Sequence, residues 1–339
     1  MKRPTIADIA RRAGVSIGAV SYALNGRPGV SVSTRQRILD IADEIGWRPN
    51  ISARALSVSR AHAVGLVLAR TARTLGVEPF FMQFIAGLEA ELSTKRIALL
   101  LQVVEDHEAA IEAVRVWWAE RRIDGVIVTD LWHDDSRLPV LERLGVPAVL
   151  VGRPRADSSL PGVWSDDAAP VTSVVDYLVT LGHRRIARVA GLAALDHTQV
   201  RTEAFLAAAK RHRLSGADVV VTDYSWEQGA RATRTLLTKP DRPTAITFDN
   251  DVMAVAALSV AREMGIAVPG QLSIVAGDDS QLCVLVHPSL TALSRDISEY
   301  GANAARTLLA AIEHDNPDSF QDSTAHLVPR ASTAAVPAE

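Results

Sequence analysis

The side chains of this 339-residue chain that could carry out chemistry are few and scattered. Acidic residues stand side by side at three places, Asp134–Asp135, Asp166–Asp167 and Asp278–Asp279. Neighbours in sequence need not act together, and the first two pairs also fit the acidic charges that stabilise helix N-termini. The sequence contains no nucleophile elbow, no phosphate loop and no His/Cys cluster at metal-ligand spacing. We therefore expect neither an enzyme nor a metal or other cofactor.

Charge is distributed unevenly along the chain. Residues 1–60 contain ten Lys and Arg against four Asp and Glu, a net charge of +6, whereas the remaining residues carry −9. A small basic segment on an acidic body indicates a polyanion, such as nucleic acid, as the partner of that segment. A solvated basic surface is the alternative, and charge alone leaves both open.

The basic segment begins with the pattern of two short helices. Apolar residues recur at helical spacing in residues 5–13, and Thr5 is placed to cap this helix together with Asp8. Ser16 is placed to cap a second helix, Ile17–Leu24. Two helices joined by a glycine-containing turn of about three residues form a helix-turn-helix.

A third helix is predicted over Thr34–Ile45, with Ser33 and Gln36 as its capping pair. Its apolar residues also recur at helical spacing. Three such helices fit a DNA-binding head, and they also fit a plain three-helix domain without that function.

Downstream of this segment, apolar β-branched runs alternate with stretches of helical length. Strands are predicted at residues 63–69, 97–104, 124–129, 147–152, 185–191, 218–222, 244–248 and 272–277. Continuous apolar strands separated by helices indicate parallel sheets covered on both faces. Two such sheets, with the chain crossing near residues 160, 290 and 320, predict an α/β body of two lobes like that of periplasmic binding proteins. A ligand would bind between the lobes, at the carboxyl ends of the strands.

The segment TIADIARRAGVSIGAVSYALNGRPGVSVSTRQRILDIADEIGWRPNISARAL resembles, without gaps, the DNA-binding head of the lactose/galactose repressor family. The resemblance extends to about residue 330. It is carried there by DYLVTLGHRRIARVAG, PTAITFDNDVMAVAAL, GIAVPGQLSIVAGDDS and HPSLTALSRDISEYG, in that order. It implies a sequence-specific transcriptional regulator, a repressor whose operator affinity responds to a small effector.

The resemblance also implies which residues bind DNA. The matching positions are Thr5, Ser16, Ile17, Gly18, Ser21, Tyr22, Asn25, Thr34, Asn50, Ala53 and Leu56. Helix Ile17–Leu24 would lie in the major groove, with Ile17, Gly18 and Tyr22 at base edges. Leu56 would be a wedge that enters the minor groove and bends the duplex.

Two positions of the head depart from the family pattern. Ala19 stands where threonine is common, and Tyr22 stands where arginine is frequent. Arginine there would suit a bidentate contact to guanine, whereas tyrosine offers one hydroxyl and a flat apolar ring. The base preferred at that position is therefore open.

The effector residues implied by the resemblance are Phe80, Phe81, Arg201, Tyr224, Asn250 and Asp278. Together they suit a carbohydrate, because aromatic faces pack against C–H surfaces while Arg, Asn and Asp bind hydroxyls or a carboxylate. This site also departs from the family. An aromatic residue is missing from Ala276–Asp279, Gly152 replaces a common Asp, and Ala69–Arg70 replaces a more polar stretch.

These observations predict three regions: a DNA-binding head (1–48), a hinge (49–62) and an effector-binding and dimerisation body (63–339). The expected partners are a pseudo-palindromic operator, a carbohydrate-like effector and a second copy of the chain, with no membrane. A single cysteine, Cys283, and a charged N-terminus fit the cytoplasm. The competing classes are an enzyme and a transport-type solute-binding protein, which would need a signal peptide and no DNA-binding head.

Overall fold

The computed structural model describes residues 4–47, 60–70, 78–313 and 317–336, and the chain divides into two compact units between Ala61 and His62. The first unit contains helices α1 (Ile6–Ala13), α2 (Ile17–Leu24) and α3 (Val32–Glu44). Its core is formed by Ile9, Ala10, Ala13, Val20, Ala23, Ile38 and Ala42. The apolar residues that recur at helical spacing are thus the ones that hold the three helices together.

Capping residues determine where these helices begin. The carboxylate of Asp8 accepts a hydrogen bond from the backbone N–H of Thr5 (2.9 Å), and the Ser16 hydroxyl accepts one from Ala19 N–H (3.1 Å), as the sequence predicted. The predicted start of α3 is wrong. The cap is Ser31, whose hydroxyl accepts from Thr34 N–H (3.3 Å), because Ser33 already lies inside the first helical turn.

Lobe 1 of the second unit is built on a parallel sheet. Its strands are β1 (Ala63–Ala69), β2 (Ala98–Val104), β3 (Gly125–Val128), β4 (Ala148–Val151), β5 (Gly162–Trp164) and β11 (Phe320–Gln321). Their spatial order is β11-β5-β4-β3-β1-β2, and every pair is parallel. The helices of this lobe are α4 (Pro79–Thr94), α5 (His107–Ala119), α6 (Arg137–Leu144) and α12 (Ile297–Ile312).

Lobe 2 repeats this architecture. Its strands are β6 (Ile186–Ala190), β7 (Val219–Val221), β8 (Ala245–Phe248), β9 (Ser273–Ala276), β10 (Thr291–Ser294) and β12 (His326–Val328). Their order is β12-β10-β9-β8-β6-β7, with only the β10–β12 pair antiparallel among the strands described. The helices of this lobe are α7 (Ala168–Thr180), α8 (Asp196–Arg211), α9 (Trp226–Leu237), α10 (Asp251–Glu263) and α11 (Gln281–Leu285).

The chain passes between the two lobes three times. It crosses after β5, again between β10 and α12, and finally between β11 and β12. The sequence placed these crossings near residues 160, 290 and 320. In the described part of the chain, no helix is long and apolar enough to cross a membrane.

Candidate functional site

Helix α2 presents the side chains that the sequence placed at base edges. Ile17 is 58% exposed and Tyr22 is 46% exposed, although both are large and apolar. Gly18 is also exposed, and a Cβ added there would meet only the Ser16 hydroxyl oxygen, at 3.8 Å. An exposed apolar surface on the second helix of a helix-turn-helix is suited to contacts inside a DNA groove.

The Tyr22 ring is held in place by the turn that follows α2. A Cβ built on Gly29 would lie 3.3 Å from Cδ2 of Tyr22, and Gly29 has a φ of +113°. The ring therefore rests against a position that only glycine occupies without strain. A residue with a side chain at position 29 would therefore press on the Tyr22 ring.

The polar residues of the head that are predicted to bind DNA are already organised within the chain. The side-chain amide of Asn25 donates to the carbonyl of Ser21 (2.9 Å), while the Thr34 hydroxyl accepts from the hydroxyl of Ser31 (2.8 Å). Ser16 and Thr5 take part in the caps of α2 and α1. The three hinge positions, Asn50, Ala53 and Leu56, lie outside the described residues.

A cavity of about 460 Å³ lies between the two lobes. Five of the six predicted effector residues line it, namely Phe80, Phe81, Arg201, Tyr224 and Asp278. They reach the cavity from α4, from α8, from the loops that follow β7 and β9, and therefore from both lobes. This convergence at the ends of parallel strands is the position expected for a ligand in such a fold.

The sixth residue, Asn250, is not brought to the cavity. Its side chain is 1% exposed, and its carbonyl oxygen accepts from Met253 N–H (2.9 Å), which caps α10. Its amide nitrogen donates to the carbonyl of Tyr224 (3.1 Å). Because both ends of this amide are occupied, its expected role changes from binding the effector to supporting the loop that carries Tyr224.

Arg201 faces the cavity but is also part of an ion pair. Its Nε and Nη2 atoms both donate to one carboxylate oxygen of Asp167, at 2.9 and 2.6 Å. Burial alone would raise the pKa of Asp167, but the charges of Arg201 and Arg295 outweigh it and hold that pKa below its ordinary value. Asp167 is thus an ionised partner that orients the guanidinium.

Asp278 is the carboxylate that the protein leaves open to a ligand. Its side chain accepts no hydrogen bond from any residue within the described ranges, although it lines the cavity and is largely buried. Burial raises its pKa to about 6, against the opposing charge of Arg295. An unpartnered carboxylate that lines a cavity is suited to accept hydrogen bonds from the hydroxyl groups of a ligand.

Arg295, which sequence reasoning missed, completes the site. Its guanidinium lies over the rings of Phe80 (5.6 Å) and Tyr300 (4.9 Å), and it lines the cavity. Cation–π contacts fix the plane of the group while its N–H donors remain available to a ligand. The only signal in the sequence was its position at the end of a strand, in the segment LSRD.

Tyr224 is fixed by several contacts in lobe 2. Its hydroxyl hydrogen-bonds with His197 Nε2 (2.9 Å) and with the Thr198 hydroxyl (3.1 Å). Burial lowers the pKa of His197 to about 4, so this imidazole is neutral at pH 7. The ring crosses Gly191, where an added Cβ would lie 1.9 Å from Tyr224 Cζ, so only glycine fits there.

A third arginine that lines the cavity, Arg70, contacts both lobes. Its Nε and Nη2 donate to the two oxygens of Asp130 at 2.7 and 3.0 Å. The guanidinium lies over Phe81 of lobe 1 (5.7 Å) and over Tyr224 of lobe 2 (4.7 Å). In the sequence, Arg70 stands out only as a departure from the family pattern, because its partners are distant along the chain.

The protein thus has an exposed recognition helix, α2, and a polar, aromatic cavity between two lobes. These two features are typical of a DNA-binding regulator that responds to a small ligand. Comparison with known proteins agrees with this class. Residues 5–50 match the model of bacterial regulatory proteins of the lacI family, and residues 175–333 match a periplasmic binding protein-like domain. The chain belongs to the LacI family of transcriptional regulators.

The chain is similar to full-length relatives. It is 31% identical to the HTH-type transcriptional regulator CelR of Thermobifida fusca over 319 residues, 92% of each chain. It is also 31% identical to the HTH-type transcriptional regulator reg1 of Streptomyces lividans over 347 residues, 98% of each chain. As the resemblance implied, the chain is therefore a DNA-binding regulator and not an enzyme.

Solved structures show the same architecture. A CelR–cellobiose complex superimposes with a TM-score of 0.74 at 28% identity, over 97% of this chain and all of that one. A lac repressor dimer bound to operator and the anti-inducer ONPF superimposes with a TM-score of 0.86 at 25% identity, over 98% of this chain and all of that one. The predicted fold class, a helix-turn-helix head with a two-lobed α/β body, is confirmed.

Proposed function

We propose that this regulator represses transcription in the cytoplasm as a homodimer on a pseudo-palindromic operator, and that a small sugar-like effector bound between its lobes controls its operator affinity. One observation carries the effector half of this proposal. The cavity between the lobes combines aromatic faces with charged groups, Asp278 and Arg295, that hydrogen-bond to no described residue.

The chemistry of these groups favours a carbohydrate. Phe80 and Tyr224 offer ring surfaces on which the C–H face of a sugar can pack, while Asp278 accepts from hydroxyls and Arg295 donates to them. A cavity of about 460 Å³ lies within the range of roughly 300–1,000 Å³ that encloses small ligands. The relative CelR has been solved with a sugar, cellobiose, which supports the same ligand class for this chain.

The three regions proposed from the sequence divide this work between them. Residues 1–48 read the operator through α2, with Ile17, Gly18 and Tyr22 at base edges. The neighbouring Ser16, Ser21, Asn25 and Thr34 contact phosphates and set the register without reading sequence, and Thr5 also belongs to the DNA-binding set. The hinge, 49–62, contributes Asn50, Ala53 and the wedge Leu56, and residues 63–339 bind the effector and the second copy.

A dimer is proposed because one recognition helix reads only a short half-site. Two copies related by a two-fold axis read two half-sites about one helical turn apart, which makes the operator pseudo-palindromic. The lac repressor in the operator complex is itself a dimer.

Selection from a random DNA pool with the full-length protein tests the DNA half of the proposal. The expected product is a two-fold symmetric motif whose binding weakens steeply with salt, because bound Lys and Arg displace counterions. Recovery of no motif, or an affinity that is flat in salt, would overturn the assignment. Thermal-shift measurements with a panel of sugars test the effector half, since a ligand that binds only the folded state raises the melting temperature.

A further inference from the structure

Two buried polar atoms of residues that line the cavity have no hydrogen-bond partner within the described residues. They are Nη1 of Arg70 and Oε2 of Glu78. Both side chains line the cavity, and both residues are only 7% exposed. Leaving a buried charged group without a hydrogen bond is costly, so such atoms in a native protein indicate a missing partner.

The guanidinium of Arg70 cannot turn to find another partner. Two of its nitrogens are occupied by Asp130, and its faces lie against Phe81 and Tyr224. Only Nη1 remains unbonded. Tyr224 belongs to lobe 2 and Phe81 to lobe 1, so this guanidinium contacts both lobes.

Glu78 is equally restricted. It stands at the N-cap of α4, yet its side chain makes no capping hydrogen bond. Burial, together with the nearby acids Asp130, Asp278 and Asp251 and against the opposing charge of Arg70, raises its pKa to about 7. A hydrogen-bond donor that enters the cavity would therefore find this carboxyl group unoccupied.

We propose that Arg70 and Glu78 form a hydroxyl-binding pair that selects neutral sugars over charged ones. A hydroxyl can both accept a hydrogen bond from Nη1 of Arg70 and donate one to Oε2 of Glu78. Alternatively, two neighbouring hydroxyls of one sugar ring can make one of these hydrogen bonds each. A carboxylate cannot donate a hydrogen bond to Oε2 of Glu78, and an ammonium group cannot accept one from Nη1 of Arg70. Neither charged group can therefore satisfy both atoms of the pair. This selectivity rests on the proposed function, because it concerns the same effector cavity.

The test measures the binding of sugars of three charge classes by calorimetry and thermal shift. The neutral probes are glucose, maltose and cellobiose, the anionic probes are glucuronate and galacturonate, and the cationic probe is glucosamine. The full-length wild type should bind a neutral sugar more tightly than any charged probe. Tighter binding of a uronate or of glucosamine would overturn the hydroxyl-binding pair while leaving effector control intact.

Two variants test the pair directly, and one serves as control. Glu78→Gln and Arg70→Lys should each weaken neutral-sugar binding about tenfold or more, the loss expected for one hydrogen bond to a charged group. Glu89→Gln, an exposed position on the same helix, should bind as the wild type does. Glu78→Gln should also keep or raise the melting temperature, because it removes a buried charge, which a purely structural role of Glu78 does not predict.

The outcomes separate the two proposals. If a neutral sugar binds the wild type and both variants with the same affinity, the pair has no role and the proposed effector class still stands. If none of the sugars binds the wild type, the carbohydrate assignment itself fails, and the pair fails with it.

Discussion

Replacing Asp278 with asparagine should make the protein more stable and at the same time unresponsive to its effector. The carboxylate lines the cavity and accepts no hydrogen bond from the described residues. Burial, opposed by Arg295, raises its pKa to about 6 from an ordinary value of 3.8. Asparagine keeps the shape of the side chain and removes the charge.

The magnitude follows from the difference between these pKa values. Each pKa unit corresponds to about 1.4 kcal/mol, so the ionised carboxylate lowers the free energy of unfolding by about 2–3 kcal/mol at pH 7.5. Between pH 4 and pH 6 the folded state binds more protons than the unfolded state. Stability contributed by the protonated Asp278 is therefore lost as the pH rises through this window. The advantage of Asp278→Asn should be full above pH 6 and should vanish near pH 4.

The adjacent residue provides a matched control. Asp279 receives hydrogen bonds from both terminal nitrogens of Arg330, at 2.7 and 2.8 Å. Asp279→Asn should therefore lower the free energy of unfolding by about 1.5–3 kcal/mol, since it removes a hydrogen bond between charged groups. Two substitutions of the same chemistry, one residue apart, should change stability in opposite directions.

Thermal melts of the wild type and both variants between pH 4 and pH 8 measure this prediction. At pH 7.5, Asp278→Asn should melt about 4–10 °C above the wild type. Its operator affinity in the absence of effector should be unchanged, and the sugar should no longer alter that affinity, because a ligand shifts an equilibrium only through contacts that differ between its states. A lower melting temperature for Asp278→Asn, or an intact response to sugar, would refute the reasoning.

Three further substitutions test other parts of the molecule. Tyr22→Arg should change the preferred base at one symmetric half-site position, with a discrimination of about 1–3 kcal/mol. Motif selection with both proteins measures this change, and identical motifs would show that Tyr22 does not read a base. Leu56→Ala should reduce operator bending in a circular-permutation gel assay and leave nonspecific binding unchanged. A wedge side chain unstacks a base step at a cost of a few kcal/mol, and the bend that it produces allows added contacts between protein and DNA. Without the wedge, both the bend and these contacts are lost. Arg201→Ala should abolish the sugar response. Because Asp167 loses its partner, this variant should also lower the free energy of unfolding by about 1–3 kcal/mol. Thermal melts measure this loss, and an unchanged melting temperature would contradict the pairing of Arg201 with Asp167.

The regular part of the fold was predictable from local patterns. All eight strands foreseen in the body are confirmed, and their ends agree to within one residue. Four short strands were not foreseen, namely β5, β10, β11 and β12. Equally short strands were foreseen only where they lie inside a longer apolar β-branched run. These four do not, and their pairing is decided by distant segments. The cap of α3 was misplaced for a related reason, since Ser31 and Ser33 are chemically identical and only the backbone distinguishes them.

The site was predictable where residue type and position together imply a role. Asp278 and Phe80 do line the cavity, whereas Asn250 does not, because its position at the start of a helix makes it a cap. Arg70 and Arg295 were missed because their significance lies in partners far away in sequence. Arg70 meets Asp130 some 60 residues later, a pairing that no local pattern reveals.

The central claim is that occupancy of the cavity controls affinity for DNA. The most direct test is a fluorescence-anisotropy titration of the selected operator, and of a scrambled duplex, with and without a saturating concentration of the sugar found by thermal shift. We expect the sugar to change the operator dissociation constant about tenfold, within the usual range of allosteric coupling, and to leave binding to scrambled DNA unchanged. Equal operator affinity in the presence and absence of bound sugar would contradict the account.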